Sequence, residues 1–269
     1  MALILWLLDI LIITNQIIMA EIAKNGVVKG ITGALYTRTY LGKQIIQTRP
    51  NRRNKRGKLT SNNREFLITS KFSALLRVGI NYFLNFKQDS KMHNRLNSAI
   101  RKCFQKNLAI ENGMRDPFNT SMKDLEGFEF NENKNFKDVV LFPILIEQDN
   151  DTTIEISIPN FYPLEQVIFA PNCTRAVLRL YSTSIVNIVN MITECSPIIE
   201  LEFFAEDKMI SLLPTIINNI STPAYKIVVG EICFYYQNSG SEEWFLYNTK
   251  KYNPAMILAS MSNPANLKL

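Results

Sequence analysis

The distribution of charge along the 269-residue chain is the feature that most restricts what the chain can fold into. The segment 24–106 carries 19 Lys and Arg and only two acids, Glu65 and Asp89, which gives it a net charge of +17. The segment 107–269 carries 11 basic and 20 acidic residues, a net charge of −9. Because hydrophobic residues make up 46% of the chain, both parts contain enough apolar surface to fold.

A segment as basic as 24–106 attracts polyanions, which include nucleic acid, anionic lipid head groups and acidic protein surfaces. One interpretation is that the basic part faces the acidic part of its own chain or of a neighbour in a homo-oligomer. Another is that it binds nucleic acid. The charge count does not separate these interpretations, so both stay open.

The first twenty residues, MALILWLLDILIITNQIIMA, are apolar but contain Asp9 near their centre. A carboxylate in the middle of a membrane helix costs about 3 kcal/mol, and no Lys or Arg precedes the apolar run as in a signal peptide. Three interpretations stay open: translation starts at Met19, the segment is an export or membrane signal, or it is a buried or interfacial helix. We favour the Met19 start and with it a cytoplasmic location, whereas a genuine leader would imply export or membrane attachment.

A run of positive charges at 49–58, RPNRRNKRGK, forms the candidate binding site. The run has no apolar side chain, so we expect an exposed loop or arm that can lie along a phosphate backbone. The candidate anion-binding or nucleic-acid-binding residues are Arg49, Arg52, Arg53, Lys55, Arg56 and Lys58. An ordinary solvated loop is the alternative, because no helix-turn-helix, zinc-finger or RNA-binding signature accompanies the run.

Glycines punctuate the segment before this arm. Gly30, Gly33 and Gly42 separate short runs rich in Val, Ile, Thr and Tyr, a pattern that predicts small strands joined by tight turns. The spacing of these glycines matches neither a dinucleotide-binding fingerprint nor a phosphate-binding loop. No nucleotide cofactor is therefore expected.

Two helices are predicted after the arm. The residues 60–62 supply N-cap chemistry, and Glu65 three residues after Asn62 is typical of a capping box, so a helix of about six turns should begin here. A second helix is predicted from Lys91, with one apolar stripe and with Arg95, Lys102 and other basic residues outside it. The only histidine, His93, lies on this helix, and we expect a surface residue.

From residue 139 onward the sequence consists of short runs of β-branched and aromatic residues. Strands are predicted at 139–146, 152–158, 175–181, 198–204, 225–236, 243–247 and 256–260. The segment 166–169 is a weaker strand candidate, and 182–193 fits either a strand or a helix. Seven or eight strands over about 120 residues predict an antiparallel β-sandwich of the immunoglobulin-like type.

No set of residues predicts catalysis or metal binding. With one histidine and no G-x-S-x-G pattern, a hydrolase triad would have to use His93. Glu200 and Glu202 share one face of a predicted strand, which is more simply its solvent side. The four cysteines, at 103, 173, 195 and 233, lack the close spacing of a zinc site and should be core residues, with disulfides only if the chain is exported. We expect no enzyme, no cofactor and no metal.

Tyr40, Gly42, Ile46 and Pro50 follow an aromatic-x-Gly-x-x-x-Ile-x-x-x-Pro pattern. With the glycine-punctuated hairpins and the basic loop, this pattern resembles the start of an uncharacterised family of Bacteroidetes proteins, over residues 24–120. The chain has Tyr40 where the family usually has Trp, and Gln47 where it has a basic residue. The resemblance implies a bacterial protein without an assigned catalytic site, and it favours the Met19 start because family members begin shortly before the first glycine.

Together these patterns predict an α+β protein, mostly β, in three parts. An apolar leader or mis-assigned start at 1–20 precedes a basic region of hairpins and two helices at 21–120 and an acidic sandwich domain at 121–269. The predicted function is that of a non-enzymatic structural or binding protein, such as an assembly subunit, with a protein partner or a homo-oligomer. Two alternatives stay open: a nucleic-acid-binding protein that uses the 49–58 arm, and an exported or membrane-tethered β-rich protein that touches the membrane only through 1–20.

Overall fold

The structure is a computed structural model that describes residues 20–22, 26, 28–32, 34–40, 42–48, 59–84, 87–150, 153–187, 192–217 and 225–262. The predictions for 1–19 and for the 49–58 arm therefore lie outside the described residues. Strands predominate, all sheets are antiparallel and helices are few, so the α+β, mostly β class is confirmed. The chain forms two compact units, 1–58 and 59–269.

The first unit is a four-stranded antiparallel meander. Its strands are β1 Ala20–Ile22, β2 Val28–Thr32, β3 Leu35–Tyr40 and β4 Lys43–Thr48, in that spatial order. Gly42 forms the tight turn between β3 and β4 with a φ of 75°, a conformation that costs glycine little. The glycine-separated strands predicted from the sequence are confirmed.

The second unit contains helices, two sheets and two hydrophobic cores. Its helices are α1 Ser61–Leu84, α2 Met92–Lys106, the one-turn α3 Pro163–Gln166 and a 3-10 helix Lys123–Leu125. Its strands are β5 Leu145–Asn150, β6 Thr153–Ser157, β7 Arg175–Asn187, β8 Ile192–Phe204, β9 Thr215–Ile217, β10 Tyr225–Gln237, β11 Trp244–Leu246 and β12 Ala255–Ser262. The small sheet has the order β5-β6-β9, and the large sheet has the order β8-β7-β10, with β11 and β12 both paired to β10.

The large sheet is the middle layer of this unit, because each of its faces enters a different core. On one face, Leu178 and Val228 pack with Ile156 of the small sheet. On the other face, Tyr225 and Val229 pack with residues of α1 and α2. Alternation along a strand sends neighbouring residues to opposite faces, so β10 contributes to both cores.

The boundary predicted between 120 and 121 falls inside the second unit. Phe72 of α1 and Leu96 of α2 are fully buried in the same core as Tyr225 and Ile257 of the large sheet. The predicted boundary followed the change in charge, but charge lies on the surfaces of these helices while their apolar sides belong to the sheet.

The strand predicted at 139–146 is wrong over most of its length. The amides of Val139 and Val140 both donate hydrogen bonds to the carbonyl of Phe136, at 3.0 and 2.9 Å, so the chain turns here. Val140 forms only an isolated bridge, and the regular strand β5 begins at Leu145. The apolar side chains of this run do lie in the core, but a turn rather than a strand positions them there.

None of the helices within the described residues is long and apolar enough to cross a membrane.

Candidate functional site

The solvent side of α2 carries a row of cations because its opposite side is fully used by the core. Met92, Leu96, Ile100, Cys103 and Phe104 are buried and recur at three-residue or four-residue spacing. This spacing leaves the basic residues between them on the opposite face of the helix. The sequence prediction that the basic residues lie outside the apolar stripe is confirmed.

A shallow groove of about 710 Å³ runs along this side of α2 and reaches the 3-10 helix. We call its four cations the basic face; they are Lys91, Arg95, Lys102 and Lys106. Asn94 and Ser98 add hydrogen-bonding groups between them, and Asp124 adds an acid. Since a helix rises 1.5 Å per residue, the basic face is about 22 Å long, with side chains on successive turns.

Arg95 is fixed in place by its neighbours. It forms an ion pair with Asp89, and its Nη1 donates a hydrogen bond of 2.8 Å to the carbonyl of Glu129. Its guanidinium lies 5.1 Å from the ring centroid of Phe128. Burial opposes ionisation of Asp89, but the hydrogen bonds from Arg95 and from backbone amides outweigh burial and lower the pKa of this carboxyl. Arg95 is therefore part of the folded framework as well as of the groove.

Lys106 closes the other end of the basic face. Its Nζ lies 2.5 Å from Oδ2 of Asp124, and this hydrogen-bonded ion pair raises the pKa of Lys106. Asp124 lies on the 3-10 helix, 18 residues beyond Lys106 in the sequence, so tertiary structure alone brings the two together. No sequence signal identifies this acid as part of the groove.

Three cations of α2 and its N-cap have no acidic partner among the described residues. Arg95 and Lys106 form ion pairs, whereas Lys91, Arg101 and Lys102 form none there. Two acids of the large sheet pair within that sheet: Glu200 pairs with Arg179, and Arg175 binds both carboxylate oxygens of Glu202, at 2.8 and 2.9 Å. Within the described part of the second unit, basic and acidic residues therefore neutralise one another only in part: Arg95 and Lys106 are paired with acids, whereas Lys91 and Lys102 are not.

The arm residues predicted as the binding site, Arg49, Arg52, Arg53, Lys55, Arg56 and Lys58, all lie outside the described residues. Their role stays a prediction. His93 lies on α2 and is exposed, as expected. The cysteines are free thiols; Cys103, Cys173 and Cys233 are buried, which confirms them as core residues, and Cys195 is half-buried. The described residues contain no group of three or more His, Cys, Asp or Glu placed to hold a metal ion.

A buried polar cluster centred on Glu231 was not predicted. Glu231 is 2% exposed, and its Oε2 accepts a hydrogen bond of 2.7 Å from the hydroxyl of Tyr181. Burial raises the pKa of Glu231, while Tyr181 and the nearby Arg179 act in the opposite direction. The ring of Phe83 stacks on Tyr181, with 3.7 Å between centroids. The cluster is enclosed at the helix–sheet contact, so it ties the two layers together rather than offering a site to solvent.

A sequence signal for this cluster does exist. Glu231 interrupts the apolar run 228–234, and a carboxylate in a strand that is buried on both faces requires a partner. The partner, Tyr181, is 50 residues away and cannot be identified from the run itself.

No known family matches the chain, and no curated protein or solved structure is detectably similar to it. The resemblance to the Bacteroidetes family stays a prediction.

Proposed function

We propose that the protein is a non-catalytic nucleic-acid-binding protein and that the basic face of α2 contacts the phosphate backbone. The observation that carries this proposal is the row of four cations along one side of α2, in which Lys91 and Lys102 have no acidic partner among the described residues. The 49–58 arm would add six cations to the same activity.

The form of the groove favours a polymer over a small ligand. Small-molecule sites are usually concave and lined mainly by apolar and aromatic side chains, whereas this groove is open and lined mainly by charged and polar ones. A phosphate backbone offers regularly repeated charges along the length of the basic face. Each phosphate that a cation neutralises releases counterions, so we expect affinity to fall as salt rises.

The β-rich layers would act as a support that holds α2 rigid. The immunoglobulin-like form of the sandwich, predicted from the sequence, remains part of this proposal, as does the absence of enzymatic activity. The buried carboxyl of Glu231 fits a structural role, because its hydrogen bond to Tyr181 occupies it inside the protein.

The proposal is tested by fluorescence anisotropy with a labelled duplex across a salt series. Lys91→Ser combined with Lys102→Ser should weaken binding about tenfold or more at low salt and reduce the salt slope by about 2, because each phosphate contact contributes about 0.9. Lys208→Ser combined with Lys251→Ser is the matched control, since both lysines are exposed and outside the groove. Equal effects of the two pairs, or no binding by the wild-type protein at physiological salt, would contradict the proposal.

A role as an assembly subunit is the second candidate, and the first unit favours it. Ile22 and Ile46 are 76% and 62% exposed on the β1–β4 sheet, and Leu35 is also exposed. Apolar side chains this open on one small sheet are typical of a surface that a partner covers. Sedimentation velocity would decide: a stable oligomer that Ile46→Thr dissociates supports this role, and a monomer at all concentrations opposes it.

A further inference from the structure

The register of the β1–β4 sheet separates its side chains into two different faces. Residues directly opposite each other in antiparallel strands share a face. Ile31, Tyr36 and Gln47 form one such row across three strands, and Arg38 with Ile45 forms the next. Lys29 and Lys43 belong to the same face by alternation along β2 and β4, and Glu21 of β1 is directly opposite Lys29 in the register.

We call this side the charged face, because all the cations among the described side chains of the sheet lie on it. They are Lys29, Arg38 and Lys43, and all three are exposed. In the described strands, the opposite face carries uncharged side chains, which include those of Val28, Leu35, Thr37, Thr39, Gln44 and Ile46.

Tyr36 lies on the charged face, in the row next to that of Arg38. It is half-buried between its cross-strand partners Ile31 and Gln47, so part of its ring remains open to solvent. An aromatic ring with cations beside it on a sheet surface can bind unpaired bases, because the ring stacks on a base and the cations neutralise the flanking phosphates. Base stacking requires that the base be unpaired or exposed, which a duplex does not allow.

We infer that the charged face of the β1–β4 sheet binds single-stranded nucleic acid. The inference rests on the proposed function, in that both require nucleic acid as the partner, but it uses different residues in a different unit. The two surfaces differ in chemistry: the basic face of α2 has cations and no aromatic side chain, so it contacts backbones regardless of strandedness. The charged face adds Tyr36 and therefore discriminates in favour of single strands. In sequence, β4 leads directly into the 49–58 arm, whose cations extend the same basic segment.

The test compares a labelled oligo-dT of about 20 nucleotides with the same strand annealed to its complement, using the full chain. Tyr36→Val removes the ring but keeps an apolar, strand-forming residue. It should weaken binding of the single strand about tenfold and leave duplex binding unchanged. Leu35→Val is the matched control, since it changes the neighbouring residue on the opposite face and should alter neither affinity.

Lys29→Ser combined with Lys43→Ser provides a second variant that spares the ring. It should reduce the salt slope for the single strand by about 1.4, from about 0.7 for each phosphate contact. The inference is overturned if the Tyr36 and lysine variants bind the single strand as tightly as the wild type, or if Tyr36→Val weakens single-strand and duplex binding equally. If the inference fails in this way but Lys91→Ser combined with Lys102→Ser still loses duplex binding, the proposed function stands on its own. Binding to an acidic polypeptide but to neither nucleic acid would overturn both.

Discussion

Nζ of Lys106 and Oδ2 of Asp124 lie 2.5 Å apart, which places a negative charge inside a groove that is otherwise positive. This ion pair engages Lys106, the last cation of the basic face. A phosphate that approaches Lys106 would be repelled by the carboxylate of Asp124. An acid at this position lowers the affinity for polyanions.

Asp124→Asn should therefore raise the affinity for duplex nucleic acid about threefold to tenfold at low salt. It should also steepen the salt dependence by about 0.9, because Lys106 becomes available to one more phosphate. Anisotropy titrations at several salt concentrations measure both quantities. Glu206→Gln removes one exposed charge outside the groove and is the control; an equal gain in that variant would mean that net charge alone is responsible.

Arg95 and Lys102 both line the groove, but only Arg95 is built into the fold. Arg95→Ala removes its bonds to Asp89 and to the carbonyl of Glu129, so the free energy of unfolding should fall by about 1–3 kcal/mol. Lys102→Ala should change it by less than about 0.5 kcal/mol, since this side chain is exposed. Urea unfolding of the two variants measures the difference. Similar stabilities would show that the contacts of Arg95 contribute little.

Gly79 allows α1 to approach the large sheet closely. A Cβ atom at this position would lie 2.6 Å from Cγ2 of Thr183, which is shorter than any ordinary contact. Gly79→Ala should lower the free energy of unfolding by about 1–2 kcal/mol, because the overlap outweighs the better helix propensity of Ala. Thr183→Ser removes the methyl group and should recover part of this loss in the double variant. An additive double-mutant cycle would rule out the proposed clash.

Glu231 should make stability depend on pH. Its pKa is raised from the ordinary value of 4.5 by burial, so the folded state binds its proton more tightly than the unfolded chain does. This contribution to stability is complete below pH 4.5 and is lost as pH rises through the pKa of the folded state. Glu231→Gln removes the titration. As pH rises, the free energy of unfolding of the wild type should therefore fall relative to that of the variant. A constant difference between the two proteins across that range would contradict the expectation.

The strands with clear alternation were predictable, and the ends of the long ones were not. The strand predicted at 175–181 is confirmed and continues as β7 to Asn187, into the segment 182–193 that fitted either strand or helix. Ser182, Thr183 and Ser184 carry no apolar periodicity, yet all three are buried. Pairing with β8 and β10 on both sides fixes this segment, and such long-range pairing leaves no local pattern.

At the start of α1, the predicted N-cap hydrogen bond is present, but the predicted capping box is not. Thr60 accepts the hydrogen bond from the amide of Asn63, at 3.3 Å, as an N-cap side chain does. Glu65 does not close a capping box; its carboxylate accepts a hydrogen bond from the amide of Gly113 and lies 3.6 Å from Arg115. The side chain of Glu65, which the local spacing predicted to cap the start of α1, is therefore bound by a loop 48 residues away.

The basic side of α2 could be predicted from the helical spacing alone, because amphipathic periodicity places charges opposite the core. The groove could not, because Asp124 and the residues that hold Arg95 come from other parts of the chain. Which cations remain without a partner is likewise a property of the tertiary structure.

Val228 and Val229 are neighbours in β10, yet they enter cores on opposite sides of the large sheet. A single-residue insertion or deletion in β10 would reverse the direction of every following side chain and exchange the occupants of both cores at once. In β4, where nearly all side chains are exposed, the same event would disturb little buried surface. Length variation among descendants of this chain should therefore accumulate in the β1–β4 meander and its turns, while β10 keeps a fixed number of residues.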